Sequence, residues 1–123
     1  MTLTQEQIDI INSNDWVVFA TSDTKNQPRA SLLTPSVVES DRIIFSNMQM
    51  GKTAENLQAN PNVFVAAYDK HLDKCVKVTG TVELTSDGEL FDEIKALEAT
   101  RCEFVPKEII VLTITKIETS SEN

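Results

Sequence analysis

Two rhythms of apolar residues alternate along this chain. Near the N-terminus Ile8 and Ile11 fall at helical spacing just after Thr4 and Gln7, a capping-box pattern. "DWVVFATS" is then a nearly unbroken apolar run and predicts a buried strand. The polar "DTKNQP" has turn chemistry and closes at Pro28. "RASLLTPSVVES" predicts a second strand, broken or bent at Pro35, because proline has no N–H to give a ladder. "DRIIFSN" is the third, joined to the second through the tight "ESD".

The rhythm then changes. Met50 to Gln58 predicts a helix with Met50, Ala54 and Leu57 on one face, stopped by Asn60-Pro61. "NVFVAAYD" is a fourth strand. In "KCVKVTGTVELTS", Cys75, Lys77 and Thr79 alternate with Val76 and Val78, the pattern of a half-buried fifth strand, with Gly80 a bulge or bend. Ser86 and Glu89 read as a second capping box opening "GELFDEIKALEA", whose buried stripe would be Leu90, Ile94 and Leu97. "KEIIVLTITKIET" is a long sixth strand, and the tail, 119–123, should fray. Strands arriving by hairpin, with helices as caps, favour a six-stranded antiparallel barrel over a doubly wound sheet.

Composition narrows this picture. A chain of 123 residues fits one domain, 1–123, and 41% hydrophobic with 24% charged residues is globular rather than disordered. The pI near 4.5 argues against nucleic acid or an anionic membrane as a partner, so any anion must be caught by a small local cluster. No apolar run approaches the roughly 20 residues that span a bilayer, and "MTLTQEQIDI" has no signal-peptide character. Cys75 and Cys102 form no CxxC and have no nearby histidines, which predicts no metal site and two free thiols in the cytoplasm.

Candidate catalytic groups are sparse. The single histidine, His71, lies in the polar "DKHLDK", where solvation is the plainer reading than general-base work. The 19 carboxylates are scattered, and no GxSxG, HExxH or glycine-rich phosphate loop occurs. No catalytic side chain is expected. The one local cluster is Gly51-Lys52-Thr53, where an apolar strand empties through a Met/Gln turn into a helix start. Unpaired N–H groups and partial positive charge make a helix N-terminus a seat for phosphate, and Lys52 and Thr53 would add a charge and a hydroxyl. Arg29 would add a second charge if its strand runs beside this turn. The alternative is a solvated Lys52 with Thr53 capping the helix.

"RASLL…RIIFSNMQMGKTAENLQANPNVFVAAY" resembles the FMN-binding split-barrel family, which includes pyridoxamine 5′-phosphate oxidase, and within it the small bacterial FMN-binding proteins. The family's Arg-x-x-Leu-Leu strand, aromatic-x-Thr-Asn turn, Lys-bearing helix start and Asn-Pro stop have counterparts in order in Arg29-Ala-Ser-Leu-Leu33, Phe45-Ser-Asn47, Met50-Gly-Lys52 and Asn60-Pro61. The resemblance implies a split barrel and a homodimer with FMN at the subunit interface. It implies Leu32, Leu33 and Thr34 along the isoalloxazine, Asn47 and Gln49 by the ribityl chain and ring edge, and Gly51, Lys52 and Thr53 at the phosphate. Phe104 would be a partner-subunit ring contact. The function implied is electron transfer or reduction of a small acceptor by reduced FMN. Other readings are flavin storage, or a haem- or deazaflavin-binding relative. The oxidases' Ser-Arg-Lys is Met-Gly-Lys here, and their C-terminal substrate segment does not follow "TKIETSSEN", so oxidation of pyridoxine phosphate is not expected.

Overall fold

The computed structural model describes residues 1–47, 52–101 and 105–121, with only the backbone of 47, 52–54 and 121. Helix α1 (Gln5–Asn12) leads into β1 (Val17–Ser22), β2 (Pro28–Leu33), β3 (Pro35–Val38) and β4 (Arg42–Asn47). Helix α2 (Lys52–Ala59), β5 (Asn62–Asp69), β6 (Lys74–Thr85), α3 (Glu89–Ala99) and β7 (Glu108–Ser121) follow. All strand pairs are antiparallel, in the order β2-β1-β5-β6-β7-β4-β3.

That order forces the sheet to close on itself. β2 and β3 lie at opposite ends of the order, yet only Thr34 separates Leu33 from Pro35. Two peptide units reach about 7 Å, so the two edges meet at this corner. Seven strands therefore replace the six expected. The expected second strand is two, because the chain leaves one edge at Pro35 and starts the other.

Strand alternation explains the two kinds of apolar run. Phe19, Ile43, Phe45, Val65, Val78, Ile110 and Leu112 point into the barrel, where Phe19 and Phe45 pack edge to face with ring centroids 5.1 Å apart. Ile10 and Ile11 of α1 and Leu57 of α2 join the same core. On the outer face, Ile44 and Ile109 pack beneath Phe91 and Ile94 of α3. β4 and β7 are covered on both sides here, which is why "RIIF" and "EIIVL" read as continuous hydrophobic runs.

Local signals hold in some places and fail in others. The Thr4–Gln7 capping box forms, with Gln7 N–H donating to Thr4 Oγ1 at 3.2 Å and Thr4 N–H to Gln7 Oε1 at 2.8 Å. The ladder shifts register between Thr79 and Gly80, the expected bulge. The second capping box does not form. α3 is capped by Gly88, whose φ of 98° turns the chain sharply, with no side-chain cap bond. Glu89 is thereby the first helical residue rather than the third, and cannot reach back to Ser86. The buried stripe of α3 is Phe91, Ile94 and Glu98, while Leu97 is half-buried. α2 is described from Lys52 and extends one residue past the expected Gln58, and Met50 lies outside the described residues. The tail expected to fray from 119 stays paired as far as Ser121, opposite Lys74.

Candidate functional site

Strand β2 carries Leu32 and Leu33 and separates them by face, and Thr34 follows it. Leu33 sits opposite Val17 and packs against the barrel core. Leu32, opposite Val18, points outward and is 64% exposed. Thr34 forms the corner between the two sheet edges, its hydroxyl donating to Asp15 O at 2.6 Å. Among the described strands β2 is paired on one side only, so its last residues can offer backbone donors and acceptors on the other.

Helix α2 is held over the opposite end of β1. Asn56, buried, donates through Nδ2 to Thr21 Oγ1 at 3.3 Å, and Leu57 enters the barrel core. Asn60, just past the helix, donates to Ser22 Oγ at 2.9 Å. Thr21 lies directly opposite Arg29 on β2. Opposed residues of an antiparallel pair share a face, so the exposed Arg29 stands on the α2 side of β2. From Arg29 to Leu33 is four residues, roughly 13 Å of strand. Arg29 and the Leu-Leu-Thr corner thus mark the two ends of β2, with α2 bonded to β1 opposite Arg29.

The remaining candidates come from the β4–α2 connection. Asn47 ends β4 opposite Glu108, and Lys52 and Thr53 open α2. The side chains of these three lie outside the described part, as do Gln49, Gly51, Cys102 and Phe104 altogether.

Among the described residues no acid–base pair is evident here. His71 lies in the β5–β6 turn, where its N–H and that of Leu72 donate to Asp69 Oδ1 at 2.8 and 2.9 Å. These bonds, that from Leu72 first, hold the Asp69 carboxyl below its ordinary value. Their role is to tie the turn. Among the described residues no cluster of three or more histidine, cysteine, aspartate or glutamate side chains could hold a metal, and Cys75 is a free, half-buried thiol.

Sequence patterns did not point to a cleft of about 720 Å³ beside the Thr34 corner. Asn12, Asn14, Asp15 and Trp16 form one wall, Pro35 to Val38 another, and Arg101 from the end of α3 a third. The only available signal was Trp16, the single tryptophan, placed at the head of an apolar strand.

A curled antiparallel sheet whose edges meet at one corner, with helices filling its interior, defines the split-barrel class. The chain belongs to the pyridoxamine 5′-phosphate oxidase family, whose model matches residues 3–121. HupZ of Group A Streptococcus superposes with a TM-score of 0.87 at 23% identity, over 98% of this chain and 96% of that one. A candidate pyridoxamine 5′-phosphate oxidase from Lactobacillus delbrueckii gives 0.81 at 23%, over 95% and 93%. An FMN-binding protein from Syntrophomonas wolfei gives 0.80 at 21%, over 97% and 89%. No curated protein matches the chain by sequence.

Proposed function

We propose that this protein binds FMN along β2 and uses it to pass electrons to a small acceptor. The observation that carries this is the β1–β2 register. It separates Arg29 from the Leu-Leu-Thr corner by roughly 13 Å of strand, a span suited to a phosphate near one end and a ring at the other. On this reading backbone groups of Leu32, Leu33 and Thr34 meet the polar edge of the ring. Asn47 and Gln49 hold the ribityl chain and ring edge. Gly51, Lys52 and Thr53 hold the phosphate, with Arg29 adding charge. Bound FMN supplies one- and two-electron chemistry, and the chain's residues position it and shield it from water. The cytoplasm is the compartment proposed, where free thiols such as Cys75 persist.

The visible spectrum tests this reading. FMN added to apoprotein should saturate at one per chain with a shift of the flavin bands; no saturable shift would rule the reading out. Neither pyridoxamine nor pyridoxine 5′-phosphate should be oxidised by the FMN-loaded protein. The net charge of −8 should make a cationic acceptor reoxidise the reduced protein faster at low salt. Inertness towards every acceptor would favour flavin storage.

A second copy of the chain completes the proposed groove. α3 covers the outer face of β4 and β7, but no described element covers the outer face of β1 and β2. There Val18, Leu32 and Tyr68 stand exposed. An apolar face of this kind marks an association site, and a two-fold pair would cover both copies of it at once. Light scattering at micromolar concentration should give twice the 13.7 kDa chain mass. A monomer that still holds FMN tightly would refute the shared groove.

A further inference from the structure

We propose that the cleft walled by Trp16, Asn12, Asn14, Pro35 and Arg101 seats the electron acceptor, a neutral planar ring carrying carbonyl oxygens, of the quinone type. This rests on the flavin reading above and names the substrate class and its place. The cleft includes Thr34, the residue at the ring end of the proposed flavin line, so a ligand in it lies next to that end. Its volume, about 720 Å³, is in the range of small-molecule sites.

The lining favours a flat ring with acceptor oxygens. Trp16 is 60% exposed at the mouth and offers an indole face for stacking. Pro35 and Val37 add apolar lining to the same cleft. Arg101 donates through Nη1 to Ser36 O at 2.9 Å, which anchors the guanidinium, and its other nitrogens have no hydrogen-bond partner among the described residues. A carbonyl oxygen can take those donors.

Charge decides between a neutral ring and an acid. Glu98 Oε1 lies 3.6 Å from Arg101 Nη1, and its side chain is only 10% exposed. Asp15 lines the same cleft. The guanidinium is thus already balanced by the Glu98 carboxylate, and beside Asp15 in the same cleft a ligand carboxylate would add repulsion. A quinone brings no charge. It takes up a hydride equivalent from reduced FMN and one proton from solvent, leaving oxidised FMN and a hydroquinone. The negative charge that develops on its oxygen during transfer falls beside the Arg101 donors, where it is stabilised most.

Trp16, the only tryptophan, reports binding without any flavin present. Duroquinone, fully substituted and so inert to thiol addition, is titrated into apoprotein while indole fluorescence is read, with benzoate in a parallel arm. The expected result is saturable quenching that weakens about tenfold in Arg101→Ala, the loss of a hydrogen bond to a charged donor, with little response to benzoate. FMN affinity should change less than about twofold, which an anchor outside the flavin line implies. Arg101→Lys keeps the charge without the fork and should weaken quenching less than alanine does; it serves as the test if the alanine variant fails to fold. Linear, unsaturable quenching, quenching unchanged in either variant, or benzoate binding as tightly as duroquinone would each overturn the proposal. Saturable, Arg101-dependent quenching in a protein that takes up no FMN would uphold the cleft and remove the flavin reading alone.

Discussion

Replacing Lys52 with alanine weakens FMN binding by about 1.5–3 kcal/mol, the value of a hydrogen bond to a charged group, and leaves riboflavin binding nearly unchanged. The expectation follows from where α2 begins and what holds it. Lys52 is its first residue, and the N–H groups of a first helical turn have no partners within the helix. The helix body is fixed over β1 by the buried Asn56 on Thr21 and by Leu57 in the barrel core. Glu55 shares that first turn, so the dipole's attraction for phosphate is partly offset and Lys52 must supply the positive charge. Arg29, opposite Thr21, should give a smaller loss of the same kind when replaced. The measurement is flavin fluorescence quenching with both ligands. Equal losses for FMN and riboflavin would show that Lys52 acts on folding or on the ring, and the phosphate assignment would fall.

Gly80→Ala should destabilise the protein by about 3 kcal/mol, the upper part of the range for overpacking, without altering any proposed ligand contact. A Cβ at Gly80 would collide with the Thr113 carbonyl oxygen and lie 2.8 Å from Leu112 Cδ2. The carbonyl belongs to the backbone of β7 and cannot swing aside as a side chain would. The site is also where the β6–β7 ladder shifts register, Thr79 facing Lys116 while Gly80 faces Ile114. The additional residue, Thr115, donates its hydroxyl to Thr79 O at 3.1 Å. Such a bulge increases local twist, and this sheet must curl until β2 and β3 meet at Thr34. Denaturant unfolding should show the full loss with an unchanged m-value. A loss below about 1 kcal/mol, less than overpacking ordinarily costs, would mean that the bulge relaxes freely.

These two positions differ in how far the sequence discloses them. Gly80 is legible as a bulge because a glycine interrupts an alternating strand, a purely local sign. Its clash with Thr113 is not legible, because that partner is 33 positions away and depends on register. The Lys52 cluster is legible because helix starts are built from adjacent residues. That Arg29 shares its side of the sheet follows only from the pairing with Thr21.

The sequence by itself determined the elements whose causes are local. The Thr4–Gln7 box, the strand Asn62–Asp69 and the Asn60-Pro61 stop all arise from neighbouring residues and from periodicity. Family resemblance extended this to a fold class and to a set of candidate flavin contacts. Tertiary structure alone decided the rest. Pro35 could mark a bend or a break, and it is a break because the chain crosses from one sheet edge to the other there. Ser86 and Glu89 have capping-box spacing, but the turn at Gly88 sets the helix start and removes their geometry. Leu97 and Phe91 both suit a buried stripe, and packing on Ile44 and Ile109 selects Phe91. The cleft of Trp16 and Arg101 has no local signature at all: Arg101 reaches Ser36 across 65 positions. Periodicity and caps report forces between near neighbours, whereas a cleft is made by residues that only the closure of the barrel brings together.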